Sequence, residues 1–410
     1  MSSRAVTVRM YNVGFGDCFL LTFPKDDGVA SVLIDCGTHP QSTGPRQARR
    51  DAVPQIIDDL KAGGRAPRID VVVVTHRHKD HVSGFESPDW SQVEVGEVWM
   101  PWTENPRDPV ATGLRERQAN AATALDEVHG LLPESPGRAL AAGLIANSLT
   151  NEKAMTTLHS GFAGSPKRRF LSAQRDPLQI PLLPNVSVHV LGPSRDEKVI
   201  KRLEPPGREA WLHLAEIVRA DDSGRRPFDD GWAKSWDEFM TTPAFAPLRP
   251  GGQIVGAIRR VGGDDILYAA AGLEKVLNGT SLMLVFEIEG ILLLCPGDAQ
   301  WGTWKSVLED TRARELVGRA TFYKVGHHGS YNATPKSFVK DVLADSAWAA
   351  IPVAPVERWK KIPNSALLAA FEARHTWVVQ SDSPPAANVP PNVTVRDNVS
   401  VDLAFPLPDA

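Results

Sequence analysis

The sequence predicts an α/β protein with sheets inside and helices outside. Strand-like apolar runs and helical patterns alternate through both halves of the chain, which places parallel or mixed sheets under flanking helices. The run Ile69-Asp70-Val71-Val72-Val73-Val74 reads as a strand buried on both faces. A second apolar pair, residues 281–288 and 291–295, turns through Glu289-Gly290 as consecutive strands do.

Residues 5–10 alternate apolar and polar, 18–23 are apolar, and 31–34 form a β-branched run ending at Asp35-Cys36-Gly37. Gly14 and Gly16 punctuate the first turn. Residues 51–62 put Val53, Ile56, Ile57 and Leu60 on one helical face. The buried strand 69–74 stops at Thr75. Residues 111–132 and 138–158 predict helices, separated by Pro133 and Pro136. A strand at 186–191 precedes Gly192-Pro193-Ser194, and a short one at 321–325 runs into Gly326-His327-His328-Gly329-Ser330. A strand at 348–353, a helix at 365–374 and a strand at 377–380 follow. The domain plan is one domain over 1–382, interrupted by mainly helical insertions at 100–180 and 195–275 that would fold over one edge as a cap. Residues 383–410, rich in proline, predict a tail or edge strand.

The chain has 410 residues, enough for one large domain with insertions. Hydrophobic residues are 42% and charged residues 23%, the balance of an ordinary globular protein rather than of a chain dominated by disorder. Net charge is 45 − 49 = −4, so the molecule as a whole does not attract nucleic acid. A local basic strip remains open, with Arg168-Arg169, Arg225-Arg226, Arg259-Arg260 and Lys360-Lys361 as candidates. Cys18, Cys36 and Cys295 show no CxxC spacing and read as small buried strand residues. The N-terminus has no apolar signal core, and the most apolar stretch, 281–295, is interrupted by Glu287, Glu289 and Gly290. A reducing cytoplasm and no membrane partner are the expectation. No Walker sequence and no GxSxG occurs, so nucleotide-driven and serine-hydrolase chemistry have no support.

The chemistry concentrates in His76-Arg77-His78-Lys79-Asp80-His81, directly after the buried strand. Imidazole nitrogens and a carboxylate suit zinc, manganese or iron. Residues two apart in a strand-end loop point the same way, so His76 and His78 can grip one ion while Asp80 and His81 face a second. Asp298 and His327-His328 also follow apolar strands, so three strand ends present ligands toward one edge. His129, His159, His189 and His213 read as structural or surface residues, and most tryptophans as core, with Trp232 and Trp236 in an insertion that could flank the site.

These motifs resemble the metallo-β-lactamase superfamily, whose signature is HxHxDH, and within it the ComEC-type branch, named for the soluble domain of a bacterial DNA-uptake protein. Asn12-Val13-Gly14-Phe15-Gly16-Asp17 resembles that branch's DVGQGD, Leu33-Ile34-Asp35-Cys36-Gly37 its LIDxG, and Asn278-Gly279-Thr280-Ser281-Leu282 its NxxSL. Leu294-Cys295-Pro296-Gly297-Asp298 resembles LLTGD, and Tyr323-Lys324-Val325-Gly326-His327-His328-Gly329-Ser330 resembles LKVxHHGS. Val378-Val379-Gln380-Ser381-Asp382 stands where the branch has a strand ending in TD. The likeness spans residues 7–90 and 278–382. It implies an αββα four-layer sandwich with a binuclear site at one edge. His76 and His78 would hold the first metal, Asp80 and His81 the second, and Asp298 would bridge them. His328 is the favoured remaining ligand, which leaves His327 to contact substrate or protonate a leaving group; Asp80 and His327 are the candidates for direct catalytic roles. Asp17, Asp35, Asn278 and Ser281 would support the ligands from behind. The further metal-binding histidine of most superfamily members is missing near Asn278, as in the ComEC-type branch. The first ion then has His76, His78 and Asp298, with water or an Asn or Ser oxygen beyond, a set that favours manganese over zinc and leaves a single-metal enzyme open.

Two divalent ions lower the pKa of a shared water and neutralise charge on the attacked group, and phosphate esters benefit most. The expected activity is therefore a phosphodiesterase or nuclease working through a metal-bound hydroxide. A hydrolase of small phosphoesters, lactones or thioesters is the alternative. A low-turnover regulatory or binding module with the same fold is the reading from another class, which the retained ligand residues oppose. Expected partners are a nucleic-acid or small phosphoester substrate, with room for partner proteins of a multi-component system.

Overall fold

The computed structural model describes residues 4–26, 28–42, 46–61, 66–149, 151–206, 208–211, 263–356, 361–385 and 389–408. His213, Trp232, Trp236, the two arginine pairs at 225–226 and 259–260, and Lys360 lie outside them. Two sheets form the frame. The first has eight strands in the order β13-β14-β1-β2-β3-β4-β5-β6. Its members are β1 (Ala5–Tyr11), β2 (Phe19–Lys25), β3 (Gly28–Ile34), β4 (Arg68–Val73), β5 (Glu94–Pro101), β6 (Lys167–Leu171), β13 (Val393–Arg396) and β14 (Ser400–Pro406). The second has six in the order β12-β11-β10-β9-β8-β7. These are β7 (Ser187–Gly192), β8 (Met283–Ile288), β9 (Ile291–Cys295), β10 (Phe322–Lys324), β11 (Trp348–Ile351) and β12 (Trp377–Gln380).

The two sheets face each other across one apolar core. Val6, Val8, Leu21, Phe23, Val32, Val71 and Val73 from the first meet Val188, Leu284, Phe286, Leu293 and Phe322 from the second. The outer faces are covered by helices. α1 (Arg46–Leu60) sets Val53, Ile56 and Ile57 against Val72, Val74 and Val98. On the other side α8 (Trp301–Glu309), α9 (Thr311–Gly318) and α10 (Ser365–Ala373) bring Trp304, Val317 and Phe371 onto Val285, Leu294, Tyr323 and Ala349. This is the four-layer αββα sandwich that the sequence predicts. Among the described residues, no helix is long and apolar enough to cross a membrane.

In each sheet an antiparallel half continues into a parallel half. β3, β4, β5 and β6 run parallel, as do β9, β10, β11 and β12. The carboxyl ends of parallel strands are where α/β sheets place ligands, and here both sheets send these ends to the same edge.

The remaining helices are α2 (Lys79–Val82), α3 (Pro109–Leu131), α4 (Pro136–Ser148), α5 (Glu152–Thr156), α6 (Glu197–Ile200) and α7 (Gly263–Asn278). α3, α4 and α7 build a core of their own from Leu125, Ala141, Ile145, Leu273 and Leu277. The described parts of the two sequence insertions therefore pack on each other. β6 lies within the segment 100–180 yet extends the first sheet, paired with β5. Residues 383–410 differ from the expected tail: β13 is the edge strand, but β14 is interior, paired with both β13 and β1. The alternation Val401, Leu403, Phe405, all buried, is what draws it into the core.

That closing hairpin is tied down by charge. The Asp59 carboxylate on α1 takes Arg9 Nη1 at 2.8 Å, Arg396 Nη1 at 2.7 Å and the Tyr11 hydroxyl at 2.7 Å. Burial raises the Asp59 pKa, but the Arg396 and Tyr11 hydrogen bonds and the Arg9 charge outweigh it and hold it below the usual carboxylate range. Asp59→Asn is expected to lower unfolding stability by about 2 kcal/mol at pH 7. A depressed carboxyl stabilises above its unfolded pKa and loses that contribution as pH falls through its folded value. Urea midpoints of the two proteins should therefore converge on acidification; a gap that persists at low pH would assign the effect to packing.

Candidate metal centre

The site is assembled from strand ends. β3 leads into Asp35, β4 into Thr75 and His76, β9 into Asp298, β10 into His327-His328, and β11 into the Pro352 carbonyl. All the imidazoles and carboxylates predicted as ligands are buried, with 3% exposure or less.

Asp35 organises the first loop. Its backbone adopts φ 55°, a left-handed conformation that is uncommon for a residue with a side chain. One carboxylate oxygen accepts from Thr75 N at 2.8 Å and the other from the Thr75 hydroxyl at 2.6 Å. The second oxygen also lies 2.8 Å from His81 Nδ1. The Thr75 hydroxyl, having given its hydrogen to Asp35, accepts from His76 Nδ1 at 3.1 Å. His76 and His81 are thus both held by Nδ1, with Nε2 turned inward. His76 Nε2 sits 2.9 Å from His78 Nδ1. The Ser148 hydroxyl, on α4, stands 3.4 Å from His78 Nε2.

The short helix α2 carries Asp80 and His81. Its close approach to the Asp35-Cys36-Gly37 turn demands Gly37, where a Cβ would run into the backbone of Asp80 and His81. Asp80 N donates to Asn147 Oδ1 at 3.1 Å, so α4 buttresses this loop too. Asp298 follows Gly297, which takes φ 55°. Asp298 N donates to the Ser281 hydroxyl at 3.3 Å. Oδ1 of Asp298 accepts from His327 N at 2.9 Å and from Lys324 Nζ at 3.3 Å, while Oδ2 lies 3.3 Å from His81 Nε2.

His327 and His328 occupy left-handed backbone positions, φ 45° and 53°, in a turn that points them apart. His328 donates Nδ1–H to the Pro352 carbonyl at 2.6 Å and turns Nε2 to Asp80 Oδ2 at 3.2 Å. Phe15 packs on its ring, centroids 4.0 Å apart. His327 faces the other way. Its Nε2 meets Glu274 Oε1 on α7 at 3.3 Å, and its Nδ1 the Ser330 hydroxyl at 2.9 Å.

Two sets of donor atoms lie close enough to share an ion: His76, His81 and Asp298, and Asp17, His81 and His328. In the second set Asp17 sits behind both rings, 3.6 Å from each Nδ1, and is ion-paired to Lys324. Since both Nδ1 atoms have better partners in Asp35 and Pro352, Asp80 is the carboxylate on the open side of His81 and His328, with Oδ1 3.9 Å from His81 Nε2. The structure thus brings together His76, His78, Asp80, His81, Asp298 and His328, and sets Asp17, Asp35 and Ser281 behind them.

The electrostatics fit a cation. Asp17, Asp35, Asp80 and Asp298 are all buried, with the buried Lys324 ammonium paired to Asp17 and Asp298, and uncompensated buried carboxylates are costly. Burial raises the pKa of Asp80 and of Asp298, but neighbouring His81, joined by His328 at Asp80 and by Lys324 at Asp298, outweighs it and holds both well below the usual range. Burial lowers His76 and His78, keeping their lone pairs available. At His81 burial is outweighed by Asp298, Asp17, Asp80 and Asp35, which drive the pKa well above normal. His327 behaves likewise: burial lowers it, the Glu274 hydrogen bond and Asp298 charge raise it, and it is pushed up to about 9. Asp80 Oδ1 has no hydrogen-bond partner among the described residues, as a waiting ligand atom would not.

Sequence reasoning did not single out Lys324, Glu274, Thr75 or the α4 residues Asn147 and Ser148. A lysine in a run as apolar as Phe322-Tyr323-Lys324-Val325 was the one available signal. His189 lies elsewhere, bonded to Glu287 at 2.9 Å, and His129 meets the Arg138 carbonyl at 3.1 Å, so both are structural as expected.

Residues 11–87 match the family model described as the Metallo-beta-lactamase superfamily. The matched stretch includes Asp17, Asp35 and His76 to His81; Asp298 and His328 lie beyond it. It marks a metallo-beta-lactamase superfamily domain and supports a metal-dependent hydrolase in general. No curated protein matches. Among solved structures, a metallo hydrolase from the hyperthermophilic archaeon Ignicoccus hospitalis aligns with 10% identity and a TM-score of 0.37, over 92% of this chain and 97% of that one.

Proposed function

We propose that the protein is a metal-dependent phosphoester hydrolase, a phosphodiesterase or nuclease before a small-ester enzyme. The observation that carries this reading is the convergence of six buried donors on the His81–Asp298 contact, with a further imidazole, His327, beside them. His76, His78 and Asp298 would hold one divalent ion, and Asp80, His81 and His328 a second, zinc or manganese, with Asp298 shared between them. Bound there, the ions would supply an activated water and neutralise charge growing on the attacked phosphorus.

The chain's own groups would do the rest. Asp80 engages His328 through Oδ2 and keeps Oδ1 free to orient or take a proton. His327, fixed between Glu274 and Ser330, is placed to serve a leaving oxygen. Poor alkoxide leaving groups need such a donor; activated lactams and thioesters need it less. A small phosphoester is the second reading, favoured by α4 and α7 reaching the ligand loops with Asn147, Ser148 and Glu274, polar groups without a basic one among them. The complete donor set weighs against a low-turnover binding module. A reducing cytoplasm suits the three free, buried cysteines.

Manganese-loaded protein is expected to hydrolyse bis-p-nitrophenyl phosphate, and cleavage of single-stranded DNA or RNA would place the substrate among polymers. His327→Ala should cut turnover of the ester by about 100-fold while leaving bound metal unchanged. Metal-loaded protein that cleaves thioesters or lactones but no phosphoester would overturn the reading.

A further inference from the structure

Asn278 closes α7 and is fully buried, at 0% exposure. Neither atom of its carboxamide finds a hydrogen-bond partner among the described residues. A buried amide with both ends unsatisfied is rare in native interiors and marks a place where something else binds. The helix register gives its direction. Glu274 stands one turn earlier, on the same face, and that face meets the centre, since Glu274 contacts His327.

The chain after Asn278 fixes which side of the centre it serves. Ser281 N donates to the Asn278 carbonyl at 3.0 Å, Leu282 N to the Thr75 carbonyl at 2.9 Å, and the Ser281 hydroxyl accepts from Asp298 N at 3.3 Å. The turn is therefore stitched between the loop that begins at Thr75-His76 and the loop that carries Asp298. This is the side of His76 and Asp298, where the proposed function sets an ion on His76, His78 and Asp298. Ser281 is not the missing donor, because its hydroxyl already serves the Asp298 backbone.

We propose that the Asn278 amide oxygen is a fourth donor to the ion held by His76, His78 and Asp298. An uncharged oxygen added to two imidazoles and a carboxylate makes a harder site than a third imidazole would, and tilts it toward manganese over zinc. The proposal rests on the metal-hydrolase reading and adds a ligand to it.

The test is metal binding rather than turnover. Metal-free wild type, Asn278→Ala, Asn278→Asp and Asn278→His would be titrated calorimetrically with manganese and with zinc, and metal content measured after dialysis. Wild type should retain two manganese ions. Asn278→Ala should retain one, with the second bound at least about 10-fold more weakly. Asn278→Asp, isosteric and anionic, should tighten that second ion, and Asn278→His should shift its preference toward zinc. The proposal is overturned if Asn278→Ala binds both ions like wild type, including the case in which only KM rises, which would assign the amide to substrate. Should Asn278→Ala fail to fold, Asn278→Asp decides alone: unchanged manganese affinity there overturns it. Wild type that binds no metal would instead remove the hydrolase reading itself.

Discussion

Lys324→Met is expected to destabilise the metal-free protein by about 3–5 kcal/mol, the largest stability effect of any single replacement near the centre. The side chain is 3% exposed, at the end of β10. Its ammonium is ion-paired to Asp17 and lies 3.3 Å from Asp298 Oδ1 and 3.3 Å from the Gly297 carbonyl. Burial alone would lower its pKa, but Asp17 and Asp298 outweigh that and push it above the ordinary lysine range. Methionine fills the same space and removes only the charge, so Asp17 and Asp298 lose the ammonium that pairs with both. The loss should be smaller with manganese present, because an ion on Asp298 Oδ2 supplies part of the missing charge and binds the folded state alone. Urea unfolding in a chelator and in manganese measures both halves. Equal stability of the two proteins in chelator would show that Lys324 does not compensate these carboxylates.

The candidate ligands are legible in the sequence because each follows an apolar strand within a few residues. Strand, turn and histidine are local, so His76 to His81 and His327-His328 declare both their chemistry and their place at a sheet edge. Lys324 was not legible as a functional residue. Its partners Asp17 and Asp298 come from distant loops, so the apolar run around it signals burial without showing what it pairs with. Glu274 is hidden for the same reason: it depends on α7 packing against α4, a pairing built from Ile145, Leu273 and Leu277 that no local pattern announces. In the fold, β6 was missed because Lys167-Arg168-Arg169 reads as solvated surface, yet basic residues are how an edge strand protects itself. The C-terminal hairpin was under-read because its prolines mask the alternation of Val401, Leu403 and Phe405.

Asp298→Ala is expected to abolish turnover, by about 1,000-fold or more, and to remove metal from both positions. Asp298 touches both donor sets: Oδ2 lies 3.3 Å from Nε2 of His81, which belongs to each, and its own set includes His76. A residue shared between two ions cannot be lost from one of them alone, whereas Asp80→Ala should release metal chiefly from the His81–His328 side. About three decades in rate corresponds to about 4 kcal/mol of lost transition-state stabilisation, the scale associated with removing a charged group from a preorganised site. Asp298→Asn separates charge from shape. It keeps an oxygen toward His327 N and Lys324, so the fold should hold, yet it leaves Lys324 with Asp17 alone and offers the ions a neutral donor. Metal content, circular dichroism and turnover of bis-p-nitrophenyl phosphate for the three variants would be compared. Retention of two ions by Asp298→Ala would refute the shared-ligand assignment, and loss of one ion alone would confine Asp298 to the His76 side.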